Sequence, residues 1–147
     1  MCGIAGIYSP NNYIEENYIK NMINSINHRG PDNTSTWINT NRSVHLGHAR
    51  LSILDLSSNG NQPFHSKNGR YHITFNGEIY NFRDLKLFLR KNGINDFISN
   101  SDTEVLIELI SLKGIKKATE MLNGMFAFAV WDSKNKIMHL VRGRFGE

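Results

Sequence analysis

The chain has 147 residues, of which 39% are hydrophobic and 20% charged, and its formal net charge is +4. This length and composition indicate one globular domain with a core of its own and exclude a disordered chain. The basic residues are scattered and the apolar runs are short, so we expect neither nucleic-acid binding nor a membrane-spanning segment.

In the first half of the chain, hydrophobic patterns predict several strands and one helix. The stretch CGIAGIY predicts a strand, and apolar residues at helical spacing from Ile14 to Ile26 predict an amphipathic helix. The stretch VHLGHARLSILDL predicts one or two strands. After a hairpin turn at Asn68 and Gly69, RYHITFNGEIYN predicts a strand that runs into a second turn at Asn76 and Gly77.

The second half of the chain predicts three helices and a final hairpin. FRDLKLFLRKNG and SDTEVLIELISLKG predict helices that end at Gly93 and Gly114, the second with Ser101 or Asp102 as its N-cap. IKKATEMLNG predicts a short helix, and MFAFAVWDSKNKIMHLVRG predicts a hairpin. Because the strands come in hairpins, the predicted fold class is α+β, with antiparallel sheets covered by helices rather than a doubly wound parallel sheet.

Cys2 is the only cysteine, so no internal disulfide can form and we expect a reducing, cytoplasmic setting. The N-terminus does not read as a signal peptide and has no glycine at position 2, so lipid attachment does not explain this cysteine. Removal of Met1 would give Cys2 a free α-amino group. With a reference pKa of about 7.7–8.0, that amine can accept the thiol proton, which makes Cys2 a candidate nucleophile with its own base. The alternative is a small residue that begins a strand by chance.

The histidines do not indicate a metal site. His45 and His48 of the segment HLGH lie three positions apart in a predicted strand, so their side chains point to opposite faces. No third ligand follows at the spacing of known metal sites. We therefore predict no metal ligands in this chain.

Six segments, MCGIAGIY, HRGPD, GHARLSILD, QPF, FNGEIYN and SDTEVL, occur in this order over nearly the whole chain. Together they resemble the glutaminase domain of glutamine-hydrolysing asparagine synthetase, a class II glutamine amidotransferase of the N-terminal nucleophile hydrolases. GHARLSI with FNGEIYN is closer to this branch than to the hexosephosphate aminotransferases, which would read more like GHTRWAT and HNGIIEN.

The resemblance implies a fold and a catalytic set. The fold would be a four-layer αββα sandwich of two antiparallel sheets covered by helices. Cys2 would attack the side-chain amide carbon of L-glutamine, which is released as glutamate and ammonia through a cysteinyl thioester. The side-chain amide of Asn76 and the backbone N–H of Gly77 would form the oxyanion hole.

The resemblance also implies a set of residues that bind glutamine. Arg50 would hold the α-carboxylate, and Glu78 and Asp102 would receive the α-ammonium group. Backbone groups of the following residues would line the pocket: Leu51, Ser52, Ile53 and Leu54. A forked arginine suits a planar carboxylate, and carboxylates suit an ammonium group, so these residue types match a zwitterionic substrate.

Each of these residues also has an ordinary structural explanation. Arg50 could be a surface charge at the end of a strand, and Asp102 could serve as a helix N-cap. Asn76 and Gly77 form a common turn dipeptide. The HRGPD segment predicts only loop anchors at His28 and Arg29, with Asp32 capping or pairing locally.

The chain departs from the resembled family near its end. In VRGRFGE, Gly143 stands where that family usually has aspartate, and Glu147 falls inside the motif. We therefore predict that residues 1–147 form a glutaminase domain that is incomplete at its C-terminus. No phosphate-binding loop of the SGG-x-DS type is present, so we expect no cofactor in this chain. ATP and magnesium would belong to a synthetase domain that partners it.

Three functions follow from these observations. The first is the glutaminase half of an asparagine synthetase. The second is a catalytically silent fragment that keeps the fold. The third is the glutaminase domain of a different amidotransferase, such as one in cell-surface sugar biosynthesis. The sequence leaves the oligomeric state and the acceptor of the ammonia open.

Overall fold

The computed structural model describes residues 2–144 and 146 and contains two antiparallel β-sheets. The first sheet has three strands in the spatial order β1-β3-β2. Their bounds are Gly3–Tyr8 for β1, Asn33–Ile38 for β2 and Val44–Arg50 for β3. The central strand β3 is covered on both faces, and all of its residues are buried.

The second sheet has four strands in the order β4-β5-β6-β7. Their bounds are Phe64–His65 for β4, Tyr71–Ile79 for β5, Gly124–Asp132 for β6 and Ile137–Arg142 for β7. The hairpin between β4 and β5 turns through Gly69 with a φ of +69°, as the Asn-Gly pair predicts. The final predicted hairpin is confirmed as β6 and β7.

Four α-helices cover the two sheets. Their bounds are Glu16–Ser25 for α1, Phe82–Lys91 for α2, Asp102–Lys113 for α3 and Ile115–Glu120 for α4. Helix α1 packs on the first sheet, α3 packs on the second, and α2 and α4 pack against α3. The sheets face each other through β1, β3 and β5, so the four-layer αββα sandwich is confirmed. Among the described residues, no helix is long and apolar enough to cross a membrane.

Two apolar cores hold the layers together. The larger core lies between the second sheet and its helices, and the smaller one lies between the two sheets. The most deeply buried members of the larger core include Ile73, Phe75, Ile79, Leu106 and Leu109, and those of the smaller core are Val44, Leu46, Ala129 and Trp131. Each large apolar side chain buried in this way contributes about 1.5–3 kcal/mol.

The predicted turn at Asn76 and Gly77 is wrong, because both residues lie inside strand β5. The pairing of β5 with β6 continues without interruption as far as Ile79. A Cβ atom at Gly77 would lie 2.2 Å from the Met125 carbonyl oxygen of β6, so this glycine allows a close approach of two strands. The partner strand decides the conformation here, whereas the local dipeptide favours a turn.

Strand β2 was not predicted, because its sequence NTSTWI is mostly polar and lacks a clear alternation. It forms because β3 offers it a complete antiparallel register from Asn33 opposite Arg50 to Ile38 opposite His45. Strand β3 itself ends at Arg50, and the stretch LSILDL that follows is a loop rather than a second strand.

The HRGPD segment packs directly on the end of β3. Asp32 N–H donates to the Arg50 carbonyl at 3.0 Å, and Arg29 Nε donates to the Cys2 carbonyl at 3.1 Å. A Cβ atom at Gly30 would lie 2.2 Å from the Ala49 carbonyl oxygen. Arg29 therefore anchors the loop as predicted, Asp32 bonds locally to the end of β3, and Gly30 makes the close packing possible.

Near the other end of the chain, Gly143 N–H donates to the Phe126 carbonyl at 2.7 Å. The predicted removal of Met1 and the motif positions Phe145 and Glu147 lie outside the described residues.

We expect Gly30→Ala to lower the free energy of unfolding by about 1–3 kcal/mol, because the loop must move off β3 to admit the new methyl group. Urea unfolding followed by circular dichroism measures this loss. Gly143→Ala is the matched control, since its Cβ would lie 3.7 Å from the nearest backbone atoms, an ordinary contact distance. Equal unfolding free energies for the two variants would show that the close packing at Gly30 does not matter.

Candidate active site

A pocket of about 120 Å³ lies where the start of β1, the end of β3, β5 and the start of α3 meet. The loop that follows β3 forms one of its walls. The predicted site residues that line the pocket are Cys2, Arg50, Leu51, Ile53, Leu54, Asn76, Gly77, Glu78 and Asp102. Ser52 does not line it, and its N–H donates to the Asp32 carboxylate at 2.7 Å.

Cys2 lies directly before β1 and is held by the end of the neighbouring strand β3. Gly3 pairs with Ala49, which brings Cys2 beside the residues that follow β3. Leu51 N–H donates to Cys2 Sγ at 3.4 Å, and the thiol donates to the Leu51 carbonyl at 3.6 Å. With the bond from Arg29 to its carbonyl, both the thiol and the main chain of Cys2 are held at the pocket.

Asn76 turns its side chain toward the first sheet, on the face of β5 that also carries Thr74. Thr74 Oγ1 donates to the Gly47 carbonyl of β3 at 2.9 Å, which ties this face of β5 to the first sheet. The Asn76 Oδ1 atom is buried and has no partner within the described part of the chain. Oδ1 is an acceptor, and the donor of the same amide, Nδ2, makes no hydrogen bond to a described residue, so this amide is available to a ligand in the pocket.

The open edge of β5 supplies a second donor to the pocket. Strand β4 is only two residues long, so the amides of Phe75, Gly77 and Ile79, which face the same edge, have no strand beside them. Phe75 N–H donates to Gln62 Oε1 at 2.6 Å. Ile79 N–H donates to Asp102 Oδ2 at 2.9 Å. The Gly77 N–H between them has no hydrogen-bond partner among residues 2–144.

Arg50 is only 7% exposed, so it is not a surface charge at a strand end. Its guanidinium donates through Nη1 to the Ser57 carbonyl and to Asn61 Oδ1, each at 2.7 Å, and through Nη2 to the Asp55 carbonyl. All three acceptors are neutral oxygens, and Arg50 forms no ion pair with another described residue. Its Nε–H and one Nη2–H have no partner among those residues, so a planar anion in the pocket can bind both.

The predicted N-cap role of Asp102 is wrong, because Ser101 is the cap of α3. The Ser101 side chain accepts a hydrogen bond from Glu104 N–H at 3.3 Å, and Asp102 is the first helical residue. Asp102 is 5% exposed, and burial raises the pKa of its carboxyl group, with the nearby Glu78 adding to the rise. The bond from Ile79 N–H opposes this shift. No cation among the described residues forms an ion pair with Asp102.

The sequence of residues 1–147 matches the family described as the glutamine amidotransferase domain. The chain belongs to this family. It is 40% identical over 128 residues to the amidase chry2 of Gibberella zeae, a match that covers 87% of this chain and 19% of the relative. It is 39% identical over 150 residues to the glutamine-hydrolysing asparagine synthetase 2 of Bacillus subtilis, covering 99% of this chain and 19% of the relative. The chain thus spans about a fifth of the length of these curated relatives.

A solved structure shows the same fold. The glutamine phosphoribosylpyrophosphate amidotransferase of Bacillus subtilis, complexed with ADP and GMP, superimposes with a TM-score of 0.73. The match has 23% sequence identity and covers 88% of this chain and 35% of that one. The two-sheet sandwich of this glutamine amidotransferase domain is therefore shared with an amidotransferase that is distant in sequence.

Asp55 holds the wall of the pocket in this glutamine amidotransferase domain, although sequence reasoning gave it no role. Its Oδ2 accepts from Asn100 N–H at 2.8 Å, and its Oδ1 accepts from the N–H and the hydroxyl of Ser57. Its carbonyl accepts from Arg50. The bonds from Ser57 and Asn100 lower the pKa of the Asp55 carboxyl group. Asp55 therefore joins the loop that follows Arg50 to the segment just before Asp102.

His48 also lines the pocket, a position that the sequence pattern does not predict. Its side chain faces the second sheet, where Nε2 donates to the Phe75 carbonyl at 3.2 Å. His45, on the opposite face of β3, lies near α1, as the strand alternation predicts. Burial lowers the pKa of His48 to about 4, so the ring is neutral near pH 7.

We expect His48→Gln to flatten the dependence of stability on pH. Between pH 6.5 and about 4 the unfolded chain binds a proton on His48 and the folded chain does not, so stability falls as the pH falls. One proton corresponds to about 1.4 kcal/mol per pH unit, and the variant should lose that slope. Urea unfolding at a series of pH values measures it.

Above pH 7 the ring is neutral in both states, so the profiles of the wild-type chain and the variant should run parallel there. Profiles that also run parallel between pH 6 and 4.5 would contradict the buried, neutral state of His48.

Proposed function

We propose that the chain hydrolyses the side-chain amide of L-glutamine to glutamate and ammonia. One observation supports this most strongly. A single pocket contains a buried guanidinium and a buried carboxylate that lack ion-pair partners among the described residues, together with a cysteine thiol and two free amide donors. Such a pocket matches a zwitterionic amino acid whose far end is an amide.

The two charged groups would bind the amino-acid end of glutamine. The α-carboxylate would accept from the remaining Nε–H and Nη2–H donors of Arg50, in the bidentate arrangement that guanidinium groups favour. The α-ammonium would donate to Asp102, and its charge would favour the ionised form of that carboxyl group. Glu78, at the exposed side of the pocket, would add a second acceptor. The loop from Leu51 to Leu54 would form the wall along the substrate.

The chemistry would begin once Met1 is removed and Cys2 has a free α-amino group. That amine would take the thiol proton while Cys2 Sγ attacks the amide carbon of the substrate. The oxyanion would accept from the Asn76 side-chain amide and from Gly77 N–H. Collapse of this intermediate would break the C–N bond, and the amine would return the proton to the leaving group, which departs as ammonia. Attack of water on the thioester would then release glutamate and restore the thiol.

The ammonia would be used by another part of a longer protein. The chain covers only about a fifth of the length of an asparagine synthetase whose name states that it hydrolyses glutamine. We infer that an ATP-dependent synthetase domain partners this one and that ATP and magnesium bind there. The chain is about as similar to the amidase chry2 as to this synthetase. We therefore assign the glutaminase reaction to this domain, and we infer that the rest of the longer protein determines which molecule accepts the ammonia.

We expect the wild-type chain to release glutamate from glutamine and Cys2→Ala to release none above the buffer rate, because the nucleophile is absent. A coupled glutamate assay measures both. Glutamine should still bind to Cys2→Ala, because the two charged groups of the pocket remain in place. Calorimetry of this variant with glutamine measures that binding without turnover.

The matched control is the double variant Cys2→Ala, Arg50→Ala, which should lose most of the heat of glutamine binding. Glutamate release by Cys2→Ala would exclude Cys2 as the nucleophile. Equal binding to the single and the double variant would exclude Arg50 as the carboxylate ligand.

A further inference from the structure

We propose that Gln62 is a positioning residue of this site: it replaces a neighbouring strand beside Phe75 and thereby orients Asn76 and Gly77 toward the substrate amide. The proposal rests on the proposed glutaminase function for its kinetic consequences. Gln62 does not contact the reacting atoms in this scheme. It acts through the strand that carries the oxyanion donors.

The hydrogen bonds of Gln62 carry the proposal. The residue is 6% exposed, and its Oε1 accepts from Phe75 N–H at 2.6 Å. Its Nε2 donates to Thr103 Oγ1 at 3.2 Å. Its main-chain carbonyl accepts from the Ser35 hydroxyl of β2. One side chain therefore connects the open edge of β5 to the start of α3, while its backbone is tied to the first sheet.

The position of Gln62 along β5 explains why this connection matters. The backbone amides of Phe75, Gly77 and Ile79 face the open edge of β5. Side chains bond the two outer amides: Gln62 accepts from Phe75 N–H, and Asp102 accepts from Ile79 N–H. A full-length strand at this edge would also bond the Gly77 amide and leave no donor for a ligand. Two side-chain acceptors satisfy the flanking amides and leave the middle one free.

The two acceptors are also linked to each other. Gln62 bonds Thr103, and Thr103 directly follows Asp102 at the start of α3. The segment from Phe75 to Ile79 is thus fastened at both ends to the same turn of the same helix. Loss of the Gln62 bonds would release one end of that segment, next to Asn76.

We expect Gln62→Met, which has a similar length and no hydrogen-bonding amide, to lower kcat for glutamine hydrolysis by about 10–100-fold while KM changes less than about twofold. Removal of a whole oxyanion donor costs about 100–1,000-fold in kcat, and misorientation of one costs less. Such donors act mainly in the transition state, so the effect falls on kcat.

The matched control is Glu108→Met, which removes a comparable bond at a distance from the pocket. Glu108 is a buried residue of the same helix, and its Oε1 accepts from Lys67 N–H at 2.8 Å. This variant should lose stability and keep kcat. Thr103→Val and Thr103→Ser form a second pair, because only the serine keeps the hydroxyl that Gln62 bonds. Thr103→Val should lower kcat several-fold and Thr103→Ser should not, and this pair decides the matter if Gln62→Met does not fold.

The NMR chemical shifts of the Asn76 side-chain amide and of the Gly77 backbone amide give a readout that does not need enzymatic activity. Gln62→Met, or Thr103→Val in its place, should move both resonances, and Glu108→Met should leave them unchanged. If the wild-type chain releases no glutamate while these shifts move as expected, the proposed function fails and the positioning role of Gln62 stands. Unchanged amide shifts, or a kcat in Gln62→Met equal to that of Glu108→Met, would overturn the proposal.

Discussion

The candidate site depends on an incomplete sheet edge. Strand β4 ends after two residues, so the edge of β5 opposite β6 continues without a partner strand and carries three amides that face this edge. A buried amide without a partner costs about 1–3 kcal/mol, which is why Gln62 and Asp102 bond the amides of Phe75 and Ile79. The Gly77 amide between them stays free and lies at a pocket beside Cys2. The same two acceptors that stabilise the edge therefore define the place of the free donor.

The two charged groups of the pocket, Arg50 and Asp102, are also held by neutral groups of the protein. Arg50 is held by three neutral oxygens, which fix its geometry, and it forms no ion pair with another described residue. Asp102 is bound by a backbone amide and likewise has no cationic partner among the described residues. Burying two separated charges is costly, and a zwitterionic ligand would compensate both at once. Asp55 ties the two charged ends together, so the spacing of the charges is set by the protein before any ligand binds.

Much of this fold could be predicted from the sequence, because its elements have strong local signals. The hairpin at Gly69, the helices that end before Gly93 and Gly114, and the strand that follows Cys2 all appear where the patterns place them. Strand β2 and the continuation of β5 through Gly77 could not be predicted in this way. Both depend on partner strands that are distant in the sequence.

The site shows the same division between local and distant signals. The family resemblance carried by the six sequence segments predicted the site residues, and nine of them line one pocket. Asp55 and Gln62 lie within or beside these segments but received no role, since loop residues have no periodicity and their bonds join parts of the chain that are 13 to 45 positions apart. Only the three-dimensional arrangement identifies them.

The most direct test of the central claim is to label the chain with a diazoketone analogue of glutamine, whose electrophilic carbon takes the place of the amide, and to map the adduct by mass spectrometry. A thiol held beside an amino-acid pocket predicts one adduct, on Cys2, which excess glutamine prevents and which Arg50→Ala greatly reduces. An adduct on another residue that abolishes glutamate release, or labelling of Cys2 that glutamine does not slow, would contradict the assignment of Cys2 and Arg50 to one glutamine site.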